Sequence, residues 1–133
     1  MLRFRLLILL AACVFAACSS GMIRAEFNKS LEEYNELVRW RELDRAAFFA
    51  APSISGEFRS RAEAAKSARV IEYQVVNVKY DEKALEASAT ITYKYYSLAT
   101  GLVHDMTDKQ EWIYTGEGDA KGWRLKSLMP EFR

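Results

Sequence analysis

Histidine, cysteine and proline are nearly absent from this chain. Of 133 residues, one is His (His104), two are Cys (Cys13 and Cys18) and two are Pro (Pro52 and Pro130). Beyond position 18 there is no cysteine, so that region offers neither a His/Cys ligand set for zinc nor a thiol nucleophile. No metal and no cofactor is expected. There is no disulfide to lock the domain either, so its stability rests on core packing. Neither sign of charge dominates: 19 Lys and Arg stand against 18 Asp and Glu, for a formal charge of +1. That excludes nucleic-acid binding through bulk positive charge. No apolar run reaches the roughly 20 residues that a membrane-spanning helix needs. What remains is 50% hydrophobic, 13% aromatic and 28% charged, the composition of one globular domain with a real core.

The first residues read differently from the rest. Arg3 and Arg5 precede an apolar run from Leu6 to Ala17, and small residues then precede Cys18. A positive flank, a short apolar core and a small-residue cleavage point describe a secretory signal. The segment resembles a bacterial lipoprotein signal, in which a short box precedes a cysteine that is acylated and becomes the mature N-terminus. Two boxes compete. Leu10-Ala11-Ala12-Cys13 has the better lead residue but leaves only Leu6 to Leu9 as an apolar core. Phe15-Ala16-Ala17-Cys18 is followed by Ser19-Ser20-Gly21, a polar tether. Cys18 is therefore taken as the lipidation site, with Cys13 as the competitor. This reading divides the chain into a signal peptide (1–17), a lipidated Cys with a flexible tether (18–25) and one domain (26–133). Losing Arg3 and Arg5 turns the formal charge of +1 into −1. The resemblance implies several acyl chains on Cys18, palmitate among them, and so firm anchoring. With Ser19 after the cysteine, it also implies the periplasmic face of the outer membrane.

From Glu26 to Arg41, Phe27, Leu31, Tyr34, Leu37, Val38 and Trp40 recur at three- and four-residue steps, predicting an amphipathic helix. Ser30-x-x-Glu33 has the form of a capping box, although Phe27 favours an earlier start. A second short helix fits Glu42 to Ala50, ended by Ala51-Pro52, and a third fits Glu57 to Ala68. The second half changes period. Val70 to Tyr80 is β-branched and aromatic, with a parity shift at Val75-Val76 that marks a bulge. Leu85 to Ser97 alternates, with Leu85, Ala87, Ala89, Ile91, Tyr93 and Tyr95 on one face. Leu102 to Thr115 and Gly122 to Leu128 complete a four-stranded antiparallel meander. Helices followed by strands make an α+β domain.

The order of elements, with Gln110-x-Trp112 and Gly122-Trp123-Arg124-Leu125, resembles the nuclear transport factor 2-like superfamily over residues 26–128. The resemblance implies N-terminal helices packed on a curved four-stranded sheet, forming a cone that often encloses a pocket. A cystatin-like sheet over one helix is the alternative fold. The superfamily holds isomerases, dehydratases and non-catalytic accessory domains, so it implies a shape and no activity.

Simple alternation in the third strand puts His104, Met106, Asp108, Gln110, Trp112 and Tyr114 on one face, with Tyr93 and Tyr95 facing the same way from the neighbouring strand. Asp108, Gln110, Trp112, Tyr93 and Tyr95 are thus the candidate residues for binding a small apolar ligand in the cup. An isomerase or dehydratase would use Asp108 as base and Tyr93 or Tyr95 as hydrogen-bond donor to an enolate oxygen. A single carboxylate without a fixed partner is a weak catalytic set, so a non-catalytic binding or assembly role is the first expectation and the enzyme the alternative. His104 reads as a solvated hairpin residue, because Asp105 beside it points to the opposite face. Gly116-Glu117-Gly118 is acidic and precedes no helix, so it is no phosphate cradle. Arg39, Arg41, Arg45, Arg59, Arg61, Lys66 and Arg69 are interspersed with Glu42, Asp44, Glu57 and Glu63 and read as a salt-bridged surface, with a patch facing anionic lipid or an acidic partner as the alternative. Tyr80, Tyr96 and Phe132 fall off the core parity, and Phe48 adjoins Phe49. Tyr96 with Thr90 and Thr92 marks the sheet face as a surface for a homodimer or a periplasmic partner protein. No nucleic acid is expected as a partner.

Overall fold

The computed structural model describes the backbone of residues 2–133 and the side chains of residues 21–133. The alternatives Cys13 and Cys18 therefore lie outside the described side chains. The elements run α1 (Leu2–Arg39), α2 (Leu43–Ala46), two single 3-10 turns (Ala47–Phe49 and Pro52–Ile54), α3 (Ser55–Ala65), β1 (Ala68–Asp81), β2 (Glu86–Ser97), β3 (Val103–Thr115) and β4 (Gly122–Leu125). The class is α+β, with the strands in the spatial order β1-β2-β3-β4 and every neighbouring pair antiparallel. Among the described residues, no helix is long and apolar enough to cross a membrane.

Phe27, Leu31, Tyr34, Leu37 and Val38 form the apolar stripe of α1, and all are buried. The stripe lies across the inward face of the sheet. Phe27 meets Tyr80 of β1, Trp112 of β3 and Trp123 of β4, at ring-centroid distances of 6.1, 6.0 and 5.0 Å. Ser30 caps nothing, because the helix runs straight through it. Residues 21–25, assigned to the tether by sequence, continue the same helix. They are held there, since Trp123 Nε1 donates to the Ile23 carbonyl at 2.9 Å and the Arg24 guanidinium lies 5.1 Å from the Tyr80 ring.

α1 stops at a pair of reversed bonds. The Glu42 N–H reaches back to the Leu37 carbonyl at 2.9 Å and the Arg41 N–H to Val38 at 3.2 Å. Arg41 takes the left-handed conformation (φ 59°) that such a stop requires. Its guanidinium is fixed by the Lys66 carbonyl at 2.8 Å. Trp40, read as part of the apolar stripe, sits at this stop and is exposed, its indole N–H donating to Glu36 Oε2. The second predicted helix is only one α turn before it tightens to 3-10, and the third begins at Ser55 and ends at Ala65.

In β2, Ala87, Ala89, Ile91, Tyr93 and Tyr95 are all buried, as the alternation required. Leu85 falls in the preceding turn at φ 51° and is half-buried. The bulge at Val75-Val76 is present: Val75 pairs with Ile91 and Asn77 with Thr90, leaving Val76 without a partner. A second irregularity leaves Ile71 unpaired between Val70 and Glu72. Because the bulge shifts the alternation by one residue, Tyr80 turns inward opposite Ala87, half-buried in the core rather than off it. Phe132 likewise proves buried. β4 ends at Leu125, three residues sooner than read, and Ala51 N–H caps the Leu125 carbonyl at 2.9 Å.

Candidate functional site

The candidate residues arise on two adjacent strands and are completed by a helix. The β2–β3 pairing sets Ile91 opposite Asp108, Ala89 opposite Gln110 and Ala87 opposite Trp112. Ile91, Ala89 and Ala87 face the core, so Asp108, Gln110 and Trp112 do too. All three are buried, as is Tyr93.

Asn35 of α1 closes the group, and nothing in the sequence analysis singled it out. It sits four residues after Leu31, within the apolar stripe, which is the signal that marks it: a polar side chain on a buried face. Tyr93 donates its hydroxyl hydrogen to Asn35 Oδ1. Gln110 Nε2 lies 3.0 Å from Asn35 Oδ1, 3.2 Å from the Tyr93 hydroxyl oxygen and 3.0 Å from Asp108 Oδ2. Gln110 Oε1 accepts from Trp112 Nε1 at 3.3 Å and from Asn35 Nδ2 at 3.4 Å. Asn35 Nδ2 also donates to the Leu31 carbonyl at 2.8 Å. One glutamine thus links helix, phenol, carboxylate and indole.

Burial dominates the electrostatics. It lifts the Asp108 carboxyl to about 6, against a smaller opposing pull from the Gln110 hydrogen bond. Burial also raises the Tyr93 phenol well above its ordinary value, and that of Tyr34, with the Asp108 charge adding to both. Tyr93 is therefore a neutral hydrogen-bond donor at any physiological pH. Asp108 titrates close to neutrality, the range in which a proton acceptor is most useful. The Tyr93 proton, however, is engaged by Asn35, and Asn35, Tyr93 and Gln110 are fully buried.

Tyr95 stands apart from the cluster. Its hydroxyl donates to the Arg133 carbonyl at 2.6 Å, and the Phe132 ring packs on both Tyr95 and Tyr93, at 5.1 and 5.5 Å. The C-terminal segment from Met129 to Arg133 so covers this end of the sheet, held also by Arg61, which lies 3.4 Å from Glu131. His104 is half-buried, its ring 5.4 Å from that of Tyr95, rather than fully solvated. Asp105 opposes Lys94 on the other face. The wider surface depressions lie elsewhere. One of about 380 Å³ runs between α1 and β4 past Lys29, Tyr114 and Arg124. Another of about 300 Å³ lies beside Leu37, Phe48 and Arg45.

The helical arginines pair in part: Arg39 lies 3.9 Å from Glu36 and Arg45 pairs with Glu42, whereas Arg41 donates to the Lys66 carbonyl. Among the described residues no group of three or more His, Cys, Asp and Glu is arranged to hold a metal ion. In comparison with known proteins, no family model and no curated protein matches the chain.

Proposed function

We propose that this protein is a lipoprotein, acylated on Cys18 and held at the periplasmic face of the bacterial outer membrane. Its domain, of nuclear transport factor 2-like shape, then acts as a non-catalytic binding or assembly module. The observation that carries the non-catalytic reading is the closure of the polar cluster. Asn35, Tyr93 and Gln110 bond one another in the interior, Asp108 accepts from Gln110, and the Phe132 ring packs edge-on against Tyr93. A group already bonded within a packed core must give up those bonds before it can meet a substrate. The address rests on Arg3, Arg5, the Leu6–Ala17 run and the box ending at Cys18.

A second reading, a small-molecule isomerase or dehydratase, draws its support from one observation. Asp108, with its carboxyl lifted to about 6, lies in one network with the neutral Tyr93 phenol. In that reaction Asp108 would accept the substrate proton and Tyr93 would donate to the developing oxyanion.

Two experiments test the pair. The full chain is expressed in a bacterium with two membranes and grown with labelled palmitate. The label and the protein should co-fractionate with the outer membrane, and Cys18→Ser should lose both. Retention by Cys18→Ser with loss in Cys13→Ser would move the acyl chains to Cys13. For the domain, Asp108→Asn keeps the shape and removes the base. The binding role expects its cellular phenotype to match the wild type, whereas the enzyme reading expects that of a deletion.

A further inference from the structure

β1 is the free edge of the sheet. The opposite edge strand, β4, has only four residues and is partly covered, since Ala50 bridges to Leu125. β1 has 14 residues, no proline, and its second edge pairs with nothing among the described residues. It also carries four exposed apolar side chains: Ile71, Val75, Val76 and Val78, with Val76 the most exposed at 60%. A long edge bearing exposed apolar groups is a template for another strand.

The sequence of this edge is chemically palindromic. From Ile71 to Tyr80 it reads IEYQV followed by VNVKY, with its centre between Val75 and Val76. Run antiparallel against itself about that centre, Val75 meets Val76 of a second copy and Gln74 meets Asn77. Tyr73 then meets Val78, and Glu72 meets Lys79. Each contact occurs twice, so two opposite-charge pairs flank an apolar and amide centre.

Such a pairing would fail on an unbroken strand. Residues whose positions sum to an odd number have opposite parity, so their side chains would point to opposite faces. The bulge removes this conflict, because it falls at the centre of the palindrome and shifts the alternation there by one residue. The β2 partners verify it. Glu72 and Lys79 stand opposite Lys94 and Ser88 on the solvent face, and Gln74 and Asn77 opposite Thr92 and Thr90 on the same face. Tyr73 and Val78 stand opposite the buried Tyr93 and Ala89 on the inward face. Backbone N–H and C=O directions follow the same shift, so symmetric positions aim their bonding groups alike.

We infer that β1 is a homodimer edge. Two copies pair antiparallel about the Val75–Val76 bulge, joining their sheets into one continuous eight-stranded sheet. The partner is a second copy of this chain, selected by Glu72 facing Lys79 on both sides of the two-fold axis. This isologous contact differs from stacking through the sheet face at Tyr96, and it does not depend on the anchor.

Sedimentation equilibrium of the full chain in density-matched detergent micelles tests it. The wild type should be a dimer. Glu72→Lys and Lys79→Glu each place like charges opposite one another at two symmetric positions, the former also losing the 3.7 Å contact of Glu72 with Lys94 of its own chain, and each should weaken dimerisation by about tenfold or more. The double exchange Glu72→Lys/Lys79→Glu restores both attractions and should restore the dimer, which general destabilisation would not do. Thermal unfolding of each variant separates lost pairing from lost folding, and Lys79→Glu alone decides the matter should Glu72→Lys fold poorly. A wild type that stays monomeric up to about 100 μM would overturn the inference. So would a dimer that either reversal leaves intact, or one that the double exchange fails to recover.

Discussion

The Tyr93 hydroxyl on β2 donates its hydrogen to the Asn35 side-chain oxygen on α1, across 58 residues of sequence. Through this contact the helix and the sheet share a polar core inside an otherwise apolar one. Both residues are fully buried, so neither has water as an alternative partner.

Removing the acceptor should therefore be costly. Asn35→Leu leaves the Tyr93 hydroxyl hydrogen without its acceptor and takes one donor from Gln110 Oε1, with an expected loss of about 2–4 kcal/mol. Tyr93→Phe should cost only about 1 kcal/mol, because Gln110 still supplies Asn35 Oδ1 with a donor. Combining the two should cost less than the sum, since the second change removes the orphan that the first creates. Urea unfolding of the three variants measures this directly.

Asp108 gives the protein a pH-dependent stability of definite sign. Its folded-state value of about 6 lies above that of an unfolded aspartate, so the folded chain binds the proton more tightly. The contribution favours folding fully below about pH 4 and is lost as the pH rises through about 6. Asp108→Asn removes the titrating group and should unfold with a free energy about 3 kcal/mol higher than wild type at pH 8. At pH 4 the two should be nearly equal. Unfolding curves at the two pH values give the comparison.

Tyr80 has a buried hydroxyl without a hydrogen-bond partner among the described residues. Its ring meets Phe27 at 6.1 Å and Trp123 at 5.9 Å, contacts that phenylalanine would keep. Tyr80→Phe should raise stability by about 1 kcal/mol, seen as a higher melting temperature.

Phe132 covers the end of the sheet at Tyr93 and Tyr95. Phe132→Ala should destabilise by about 3 kcal/mol and leave a void against these rings. If the cup accepts small apolar ligands, this variant should bind a small aromatic probe more tightly than the wild type. Titration calorimetry with benzene-sized ligands would detect it.

The strands were the more legible half of the sequence. The alternation of Ala87 to Tyr95 fixed the buried face of β2, and the parity break at Val75-Val76 located the bulge. Unbroken alternation along β1 puts Tyr80 off the core, and only the one-residue shift at the bulge turns it inward opposite Ala87. Asn35 is not legible in the sequence, because a single amide within a helix resembles any solvent-facing polar residue until its neighbours in space are known. Only the crossing of α1 over β2 and β3 turns it into the partner of Tyr93 and Gln110. Asp108, Gln110 and Trp112 fall on one buried face because they share one strand. Tyr95 was grouped with them by parity alone, while its hydroxyl bonds to the chain terminus. The continuation of α1 through residues 21–25 was hidden by a serine-glycine sequence that reads as a tether.

The bond from Trp123 to the Ile23 carbonyl sets the length of the leash. With Cys18 acylated as proposed, only four residues lie between the lipidated cysteine and Ile23, a point already fastened to the sheet. Even fully stretched, the five steps from Cys18 to Ile23 reach about 17 Å. The domain would then ride close against the bilayer instead of roaming the periplasm, and it would meet only partners that come within a thin layer above the headgroups.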